Sequence, residues 1–167
     1  MIVVERRADA PAHRRDRFAE LLEEYHRRTE HEKVLGREPR PDEPAPTTTL
    51  PDRYRAEITD PGTTFASDEV LLAVEDDRVL GCVVLTEGPS PELKRLWVDP
   101  RARRRGVAAT LLEAATTVSR QRGDVAVRLS VWRWRSAAIA LYRRCGFVAV
   151  ASWDGRPGLD CFVRSFD

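Results

Sequence analysis

The 167-residue sequence predicts a single α/β (α+β) domain with about four helices and six to seven strands. Three segments predict this class. Residues 70–85 have the pattern of a hairpin of two apolar strands, and residues 93–118 that of a strand followed by an amphipathic helix. Residues 125–166 contain an alternating strand, a short helix and two closing strands. The hairpin connections favour a mixed sheet that is mostly antiparallel.

Composition and charge exclude several classes of protein. Apolar residues make up 42% of the chain and charged residues 33%, as in a globular domain. The formal net charge of +1 gives no global field for nucleic acid or an anionic membrane, so we expect neither partner. The cysteines Cys82, Cys145 and Cys161 are odd in number and lack metal-type spacing. We therefore expect a reducing compartment and a cytoplasmic protein.

The N-terminal segment is predicted to form a short strand and a long helix. The strand covers Ile2–Val4, and Asp9 precedes Pro11 in the pattern of a capped helix start. Apolar side chains then recur at helical spacing and are interpreted as core: Phe18, Leu21, Leu22 and Tyr25.

Two histidines follow in the same helix. His26 and His31 lie near Glu30 and Glu32, a composition that is compatible with a metal site. The surrounding sequence is highly charged, which is typical of a solvated helix end. We interpret both histidines as neutral surface residues and expect no metal.

A proline-rich segment covers about residues 36–51. Its prolines exclude a continuous helix or a central strand, so a loop is predicted: Pro39, Pro41, Pro44, Pro46 and Pro51. A short helix is expected next, around Asp52–Ile58.

The first hairpin comes after this helix. Val70–Val74 is predicted to be a buried strand, and Val79–Leu85 returns antiparallel to it after a turn at residues 76–78. Gly81 interrupts the second strand, which indicates either a bulge or a close backbone contact.

A strand and a helix joined by a basic loop form the central stretch of the chain. Leu93–Val98 is rich in large apolar residues, and Asp99-Pro100 ends the strand because proline offers no amide. Four arginines precede Gly106, where a helix is predicted to begin. The first amides of that helix lack intrahelical partners, and Gly106 and Ala108 leave room for a bulky anion. The sequence therefore predicts an anion site that suits a diphosphate.

The C-terminal part repeats the strand and helix pattern. The preceding helix is predicted to end at Gly123, and Ser136 is placed to cap the next one. The predicted elements are a strand at residues 125–131, a helix at 137–144, and strands at 147–152 and 160–166.

Two signatures, in this order, resemble those of the GNAT acyltransferases. Arg103–Ala108 fits the (Gln/Arg)-x-x-Gly-x-(Gly/Ala) signature and follows a Leu-Trp-Val-Asp-Pro strand end. Ala138–Phe147 resembles the second signature, in which Ala-apolar-x-Leu-Tyr is followed by Gly-Phe. The likeness is clear from about Val70 to Phe147, and before Val70 it rests on the order of elements.

The resemblance implies the GNAT fold and its co-substrate. In that fold the fourth and fifth strands of a six- to seven-stranded sheet splay apart, and acetyl-CoA enters the gap. Pantetheine is then expected along the main chain of Leu96, Trp97 and Val98, with the Val98 amide polarising the thioester carbonyl. The diphosphate is expected on the basic loop and helix start: Arg103, Arg104, Arg105, Gly106, Val107 and Ala108.

The resemblance also implies two catalytic roles. Tyr142 would be the general acid that protonates the departing thiolate, and the alternative is a tyrosine packed in the core. Glu92 would be the general base for the amine, directly or through water, and the alternative is an exposed glutamate at a strand start.

One position departs from the family's pattern. Arg135, seven residues before Tyr142, replaces a frequent asparagine. Arginine has only donors, so it can bind an acceptor carboxylate or the phosphates of the cofactor, and Ser136 can replace the missing amide. We assign both to the cofactor site. Nearby, Trp132 and Trp134 favour an aromatic wall for the acceptor or, for one of them, simple core packing.

The leading functional hypothesis is N-acetylation, by direct attack, of a primary amine on a small or amino-acid-like molecule. Alternatives are a protein N-terminal or lysine acetyltransferase and a degenerate CoA-binding sensor or partner module. The resemblance places the loop at residues 36–51 beside the acceptor, either as a lid or as a surface insertion. A homodimer is one option for the assembly.

Overall fold

The computed structural model of the chain describes residues 1–44 and 49–166. Within these ranges the chain forms seven strands: β1 (Val3–Arg6), β2 (Glu69–Glu75), β3 (Arg78–Leu85), β4 (Leu93–Val98), β5 (Ala126–Trp132), β6 (Val148–Val150) and β7 (Leu159–Ser165). The same ranges contain five α-helices: α1 (Ala12–Leu35), α2 (Arg55–Thr59), α3 (Pro61–Thr64), α4 (Val107–Gln121) and α5 (Ser136–Arg144). Short 3₁₀ turns precede α1, α2 and α4.

The strands of the described residues pair into two antiparallel sheets. One has the order β1-β2-β3-β4 and the other the order β5-β7-β6. An isolated parallel bridge between Glu92 and Arg128 joins the start of β4 to β5. No further bridge links β4 to β5 in residues 1–44 and 49–166, so these strands separate beyond it. The predicted fold class and its splayed central strand pair are confirmed.

The predicted hairpin and its glycine are confirmed. Asp76 and Asp77 adopt positive φ angles of 47° and 65°, as the two central residues of a tight hairpin turn do. The register of β2 against β3 shifts between Ala73 and Val74, opposite the segment that contains Gly81. A Cβ added at Gly81 would lie 2.7 Å from the carbonyl oxygen of Trp97. Both expectations, a bulge and a close backbone contact, therefore hold at this glycine.

Helices cover both faces of the four-stranded sheet. Leu71 and Val83 point to α4 and pack with Leu111 and Leu112, whereas the alternate side chains point to α1. The core beneath α1 includes Phe18, Leu21, Leu22, Val70, Leu72, Val74, Val79, Cys82 and Val84. Because both faces are buried, β2 and β3 are continuous apolar runs, as their sequences indicated.

Three predictions for the N-terminal helix are wrong. Asp9 ends a 3₁₀ turn, and Pro11 directly precedes α1 with no side-chain cap. Tyr25 is half-buried and lines a cavity, so it is no core residue. His26 is 1% exposed and belongs to the interior, because α2 packs over the end of α1 that the sequence indicated to be solvated.

The proline-rich segment begins as predicted. Gly36 ends α1 in the left-handed region at φ 67°. Residues 36–44 and 49–51 are irregular, and Ala45–Thr48, which include Pro46, lie outside the described residues. The short helix expected around Asp52–Ile58 is present as a 3₁₀ turn followed by α2.

Candidate active site

The edge of β4 that faces β5 is open for a ligand. The Asp99 amide donates to the Leu80 carbonyl oxygen of β3 at 2.9 Å. Since successive amides of a strand point to opposite edges, the Val98 amide points away from β3 and into the gap. The Val98 carbonyl accepts a hydrogen bond from Arg103 Nε at 3.3 Å. The residue predicted to polarise a thioester therefore directs its main chain toward the splay.

A bulge bends β4 just before this point. Arg95 has a φ of 55°, and the register against β3 shifts between Cys82 and Val84. A positive φ is unusual for arginine and is held here by two hydrogen bonds from its guanidinium to Glu57, at 2.9 and 2.6 Å. The bulge increases the local twist, which helps to separate β4 from β5.

One cleft, of about 560 Å³, lies between the end of β4 and the N-termini of α4 and α5. Gly106 at its edge has a φ of 81°, and a Cβ added there would meet nothing within 4 Å. Helix α4 starts directly after this glycine, so its first amides have no intrahelical acceptors. Open space, free amides and nearby arginines suit the diphosphate of a CoA molecule.

Most of the predicted cofactor residues line this cleft: Leu96, Trp97, Val98, Arg103, Arg104, Gly106, Val107, Ala108 and Arg135. Arg105 and Ser136 are described but do not line it. Arg105 instead forms an ion pair with Glu75 of β2. Ser136 is the first residue of α5, where its side chain makes no capping bond, so its predicted capping role is wrong.

Arg103 is held above Trp97. Its guanidinium carbon lies 4.8 Å from the centre of the indole ring. Burial lowers the pKa of Arg103, and the positive charge of Arg28 adds to this effect. A partly desolvated guanidinium at the cleft would gain from a phosphate oxygen, because the anion replaces the lost hydration.

Another cavity of about 560 Å³ lies on the other side of the splay. Its walls come from α1, the 3₁₀ turn at Asp52–Tyr54, strands β4 and β5, and the loop before β7. Leu96, Arg135 and Tyr142 line both this cavity and the cleft. These three side chains form a common wall of the two spaces, so a ligand in one space would lie close to a ligand in the other.

Tyr142 of α5, in this common wall, is 8% exposed. Its ring packs edge-on against Phe147, with centroids 6.1 Å apart. Burial, followed by the nearby Tyr25, raises the pKa of the Tyr142 phenol above its usual value, although the charge of Arg135 opposes this. The phenol therefore stays protonated at neutral pH and is available as a donor.

Glu92 lines the second cavity at the point where the sheets join. Its carboxylate lies 3.9 Å from Arg128 Nη2 and 4.0 Å from Lys94 Nζ. Leu96 is four residues further along β4, roughly 13 Å at the usual rise per residue. An amine near Tyr142 would thus exchange protons with Glu92 through water rather than by direct contact.

Comparison with known proteins decides the family. The model of the "Acetyltransferase (GNAT) family" matches residues 16–147. The chain belongs to the GNAT acetyltransferase family. The predictions of the family, of an acyltransferase and of acetyl-CoA as its co-substrate are thereby confirmed at the level of the family, while the roles of individual residues stay predictions.

Individual proteins resemble this GNAT chain either over part of its length or at low sequence identity. An "IAA acetyltransferase" of Azospirillum brasilense is 36% identical over 80 residues, which are 46% of this chain and 52% of the relative. The match thus covers about half the length of that curated protein. A GNAT acetyltransferase of Staphylococcus aureus Mu50 shares the fold with a TM-score of 0.69, at 13% identity and 99% coverage of both chains. A PaiA N-acetyltransferase of Thermoplasma acidophilum, solved with coenzyme A, has a TM-score of 0.67 at 18% identity and 99% coverage of both chains.

Arg135 has a partner that sequence reasoning did not consider. Its Nε bonds Glu32 of α1 at 2.7 Å and its Nη2 bonds Thr29 Oγ1 at 2.8 Å. Glu32 is 1% exposed and also accepts from Arg28 Nε at 2.6 Å and Trp134 Nε1 at 3.0 Å. This carboxylate ties α1 to the segment before α5, so it fixes one wall of the GNAT cleft.

Trp132, the last residue of β5, and Trp134, two residues beyond it, form a stack. Their ring centroids are 4.9 Å apart and the planes are nearly parallel. Trp132 lines the second cavity, as an aromatic wall for the acceptor should. Trp134 is bonded to Glu32, so it belongs to the supporting structure.

A buried polar cluster joins α1, α2 and β4. His26 Nε2 is 2.7 Å from Glu57, and the His26 ring stacks on Tyr54 with centroids 3.8 Å apart. Burial lowers the pKa of His26, although the hydrogen bond to Glu57 opposes this. Burial alone would raise the pKa of Glu57, but hydrogen bonds from Arg95 and His26 lower it to about 2.

These shifts predict acid sensitivity. The pKa of Glu57 lies near 2 in the fold against 4.5 in a free carboxyl, so its contribution to stability is present above 4.5 and is lost as the pH falls toward 2. We expect Glu57→Gln to melt below the wild type at neutral pH. The difference should shrink when melting temperatures are compared from about pH 7 down to about pH 3. A constant difference across that range would contradict the assigned shift.

The described residues contain no group of three or more His, Cys, Asp or Glu side chains that could hold a metal ion. None of the helices in the described ranges has the length and apolar character needed to cross a bilayer. A larger open groove of about 1160 Å³ lies between α1 and the loop that follows β4. Its Arg14 and Arg17 are bonded to carboxylates, so it resembles a solvated ion-pair surface more than a site.

Proposed function

We propose that the protein transfers the acetyl group of acetyl-CoA to a primary amine of a small or amino-acid-like molecule. One observation carries the proposal. A cleft suited to CoA and a separate polar cavity share a wall formed by Leu96, Arg135 and Tyr142. A thioester entering from one side and an amine from the other would therefore come into contact there, which favours direct attack without a covalent enzyme intermediate.

Main-chain groups would hold the donor. The diphosphate would lie on the free amides at the start of α4, with Arg103 and Arg104 beside it. The pantetheine would add to the open edge of β4. The Val98 amide would donate to the thioester oxygen, where negative charge develops during attack.

Side chains would handle the protons. The amine must lose a proton, for which Glu92 is the proposed acceptor through water. The departing thiolate receives a proton, for which Tyr142 is the proposed donor, since its phenol is neutral and lines both spaces.

The shape of the second cavity favours a small acceptor over a protein. The 3₁₀ turn with Arg53 and Tyr54 covers one side, and the loop with Trp153 and Arg156 covers another. Acetylation of a protein N-terminus or lysine instead requires an open groove. Unpaired Cys82, Cys145 and Cys161 support the proposed cytoplasmic compartment, and a homodimer remains a prediction.

Gly106 offers a direct test of the donor site. We expect Gly106→Val to lower the affinity for acetyl-CoA at least tenfold, about 1.4 kcal/mol, because the added side chain occupies the space assigned to the diphosphate. Calorimetric titration measures the affinity, and a melting curve checks the fold.

Gly123→Val is the matched control. Gly123 has a similar φ of 86°, also with open space around an added Cβ, but it follows the other end of α4. Backbone strain should therefore be alike in the two variants, while the loss of affinity should appear only at Gly106. If both folded variants bound acetyl-CoA with equal affinity, the assignment of the diphosphate to the start of α4 would be contradicted.

A further inference from the structure

The acceptor cavity contains an excess of cations, and most of them already have partners. The paired cations lie within 3.2 Å of a carboxylate oxygen and are Lys33, Arg53, Arg95, Arg135 and Arg156. Arg128 and Lys94 differ from these. In the part of the chain that the structure describes, neither forms a hydrogen bond with a carboxylate.

Arg128 is the more constrained of the two. Its backbone is fixed where β4 and β5 meet, because its amide donates to the Pro91 carbonyl at 3.0 Å. Its guanidinium lies 4.8 Å above the ring of Trp153, and Nη2 is 3.9 Å from Glu92, which is too far for a hydrogen bond. Its Nε is buried and has no partner among the described residues.

The buried Nε of Arg128 lacks a hydrogen-bond acceptor within the described part of the chain. A charged donor that is taken out of water without a hydrogen bond is costly, so these groups are normally satisfied by protein, water or ligand. Lys94 Nζ is 4.0 Å from the same Glu92 oxygen, so two positive charges face one carboxylate here. The local excess of positive charge favours an anionic group on the molecule that enters the cavity.

We propose that the acceptor is an amino carboxylate, and that Arg128, assisted by Lys94, binds its carboxylate. This proposal rests on the proposed acetyl transfer and names the acceptor class. Arginine binds a carboxylate through two parallel N–H···O bonds, which fixes orientation as well as charge. Arg135 is less suited to the task, because a carboxylate there would have to displace Glu32.

The test uses matched pairs of amines. Each of several ω-amino acids of increasing chain length is compared with its own carboxamide, because the site at Arg128 lies several ångströms from the expected position of the reacting amine, and release of CoA is followed together with the acetylated product. In the wild type we expect kcat/KM to be at least tenfold higher for the acids, about 1.4 kcal/mol. Arg128→Gln should remove this preference by raising KM for the acids while the amides change little.

Controls separate charge from position. Arg156→Gln removes a cavity cation that is already bonded to Asp154, and it should keep the preference. Arg128→Lys keeps the charge without the bidentate geometry and should lose most of the preference. This second variant also provides the answer if Arg128→Gln does not fold.

The outcomes distinguish the two proposals. Equal kcat/KM for acids and amides in the wild type would overturn the carboxylate site and leave acetyl transfer intact. A preference for the acids that persists in the Arg128 variants would do the same. If the protein binds acetyl-CoA but acetylates neither the acids nor the amides, acetyl transfer itself is overturned, and the carboxylate site with it.

Discussion

Replacing Tyr142 with phenylalanine is expected to lower turnover by about 10²- to 10⁴-fold, the usual contribution of general acid catalysis. The ring and its contact with Phe147 remain, so the change removes only the donor. A CoA thiol has a pKa of roughly 8.5, so its thiolate already leaves readily and the donor assists without being indispensable. Steady-state kinetics on the one variant measure the loss.

Two further measurements on Tyr142→Phe exclude indirect causes. Affinity for acetyl-CoA and the melting temperature should stay near the wild-type values, because the hydroxyl is assigned to neither binding nor packing. Tyr25→Phe is a useful companion, since Tyr25 lines the acceptor cavity but not the cleft. Wild-type turnover in Tyr142→Phe would contradict the role of general acid and favour the alternative of a tyrosine packed in the core.

Replacing Glu32 with alanine is expected to destabilise the fold by about 3–5 kcal/mol, the range found when one partner of a buried ion pair is removed. The change leaves Arg135 charged and buried, and it also removes the acceptor of Trp134. Urea denaturation of the variant and the wild type measures the difference in the free energy of unfolding.

Glu38→Ala is the matched control for this cluster. Glu38 lies 4.0 Å from Arg28, and its side chain is 42% exposed. An exposed pair of this kind contributes about 0–1 kcal/mol, so the control should unfold almost as the wild type does. A Glu32→Ala protein as stable as Glu38→Ala would contradict the structural role of the buried carboxylate.

The sequence predicted those parts of the fold that depend on local patterns. Alternation and apolar runs located the seven strands of the described residues, and the glycines at 106 and 123 marked helix ends. The resemblance to the GNAT signatures, and not the local pattern, placed Gly106, Val98 and Tyr142 around one cleft. Failures occurred where a distant element covers a helix, as α2 covers His26 of α1.

The contacts between charged side chains were beyond sequence reasoning. Glu32 and Arg135 are 103 residues apart, and Glu57 and Arg95 are 38 apart, so no periodicity connects them. A weak signal was available for Glu32, since it follows Arg28 at helical spacing. That spacing normally indicates a surface pair, and only tertiary packing turns it into a buried cluster.

Acetyl transfer from acetyl-CoA to an amine has two products, CoA and the acetylated amine, and both can be followed in one experiment. The purified protein is incubated with acetyl-CoA and a panel of small amines, and the products are analysed by mass spectrometry while release of CoA is recorded. We expect CoA release to depend on the amine and to equal the amount of N-acetylated product. CoA release at the same rate with and without amines, with no acetylated amine, would contradict it.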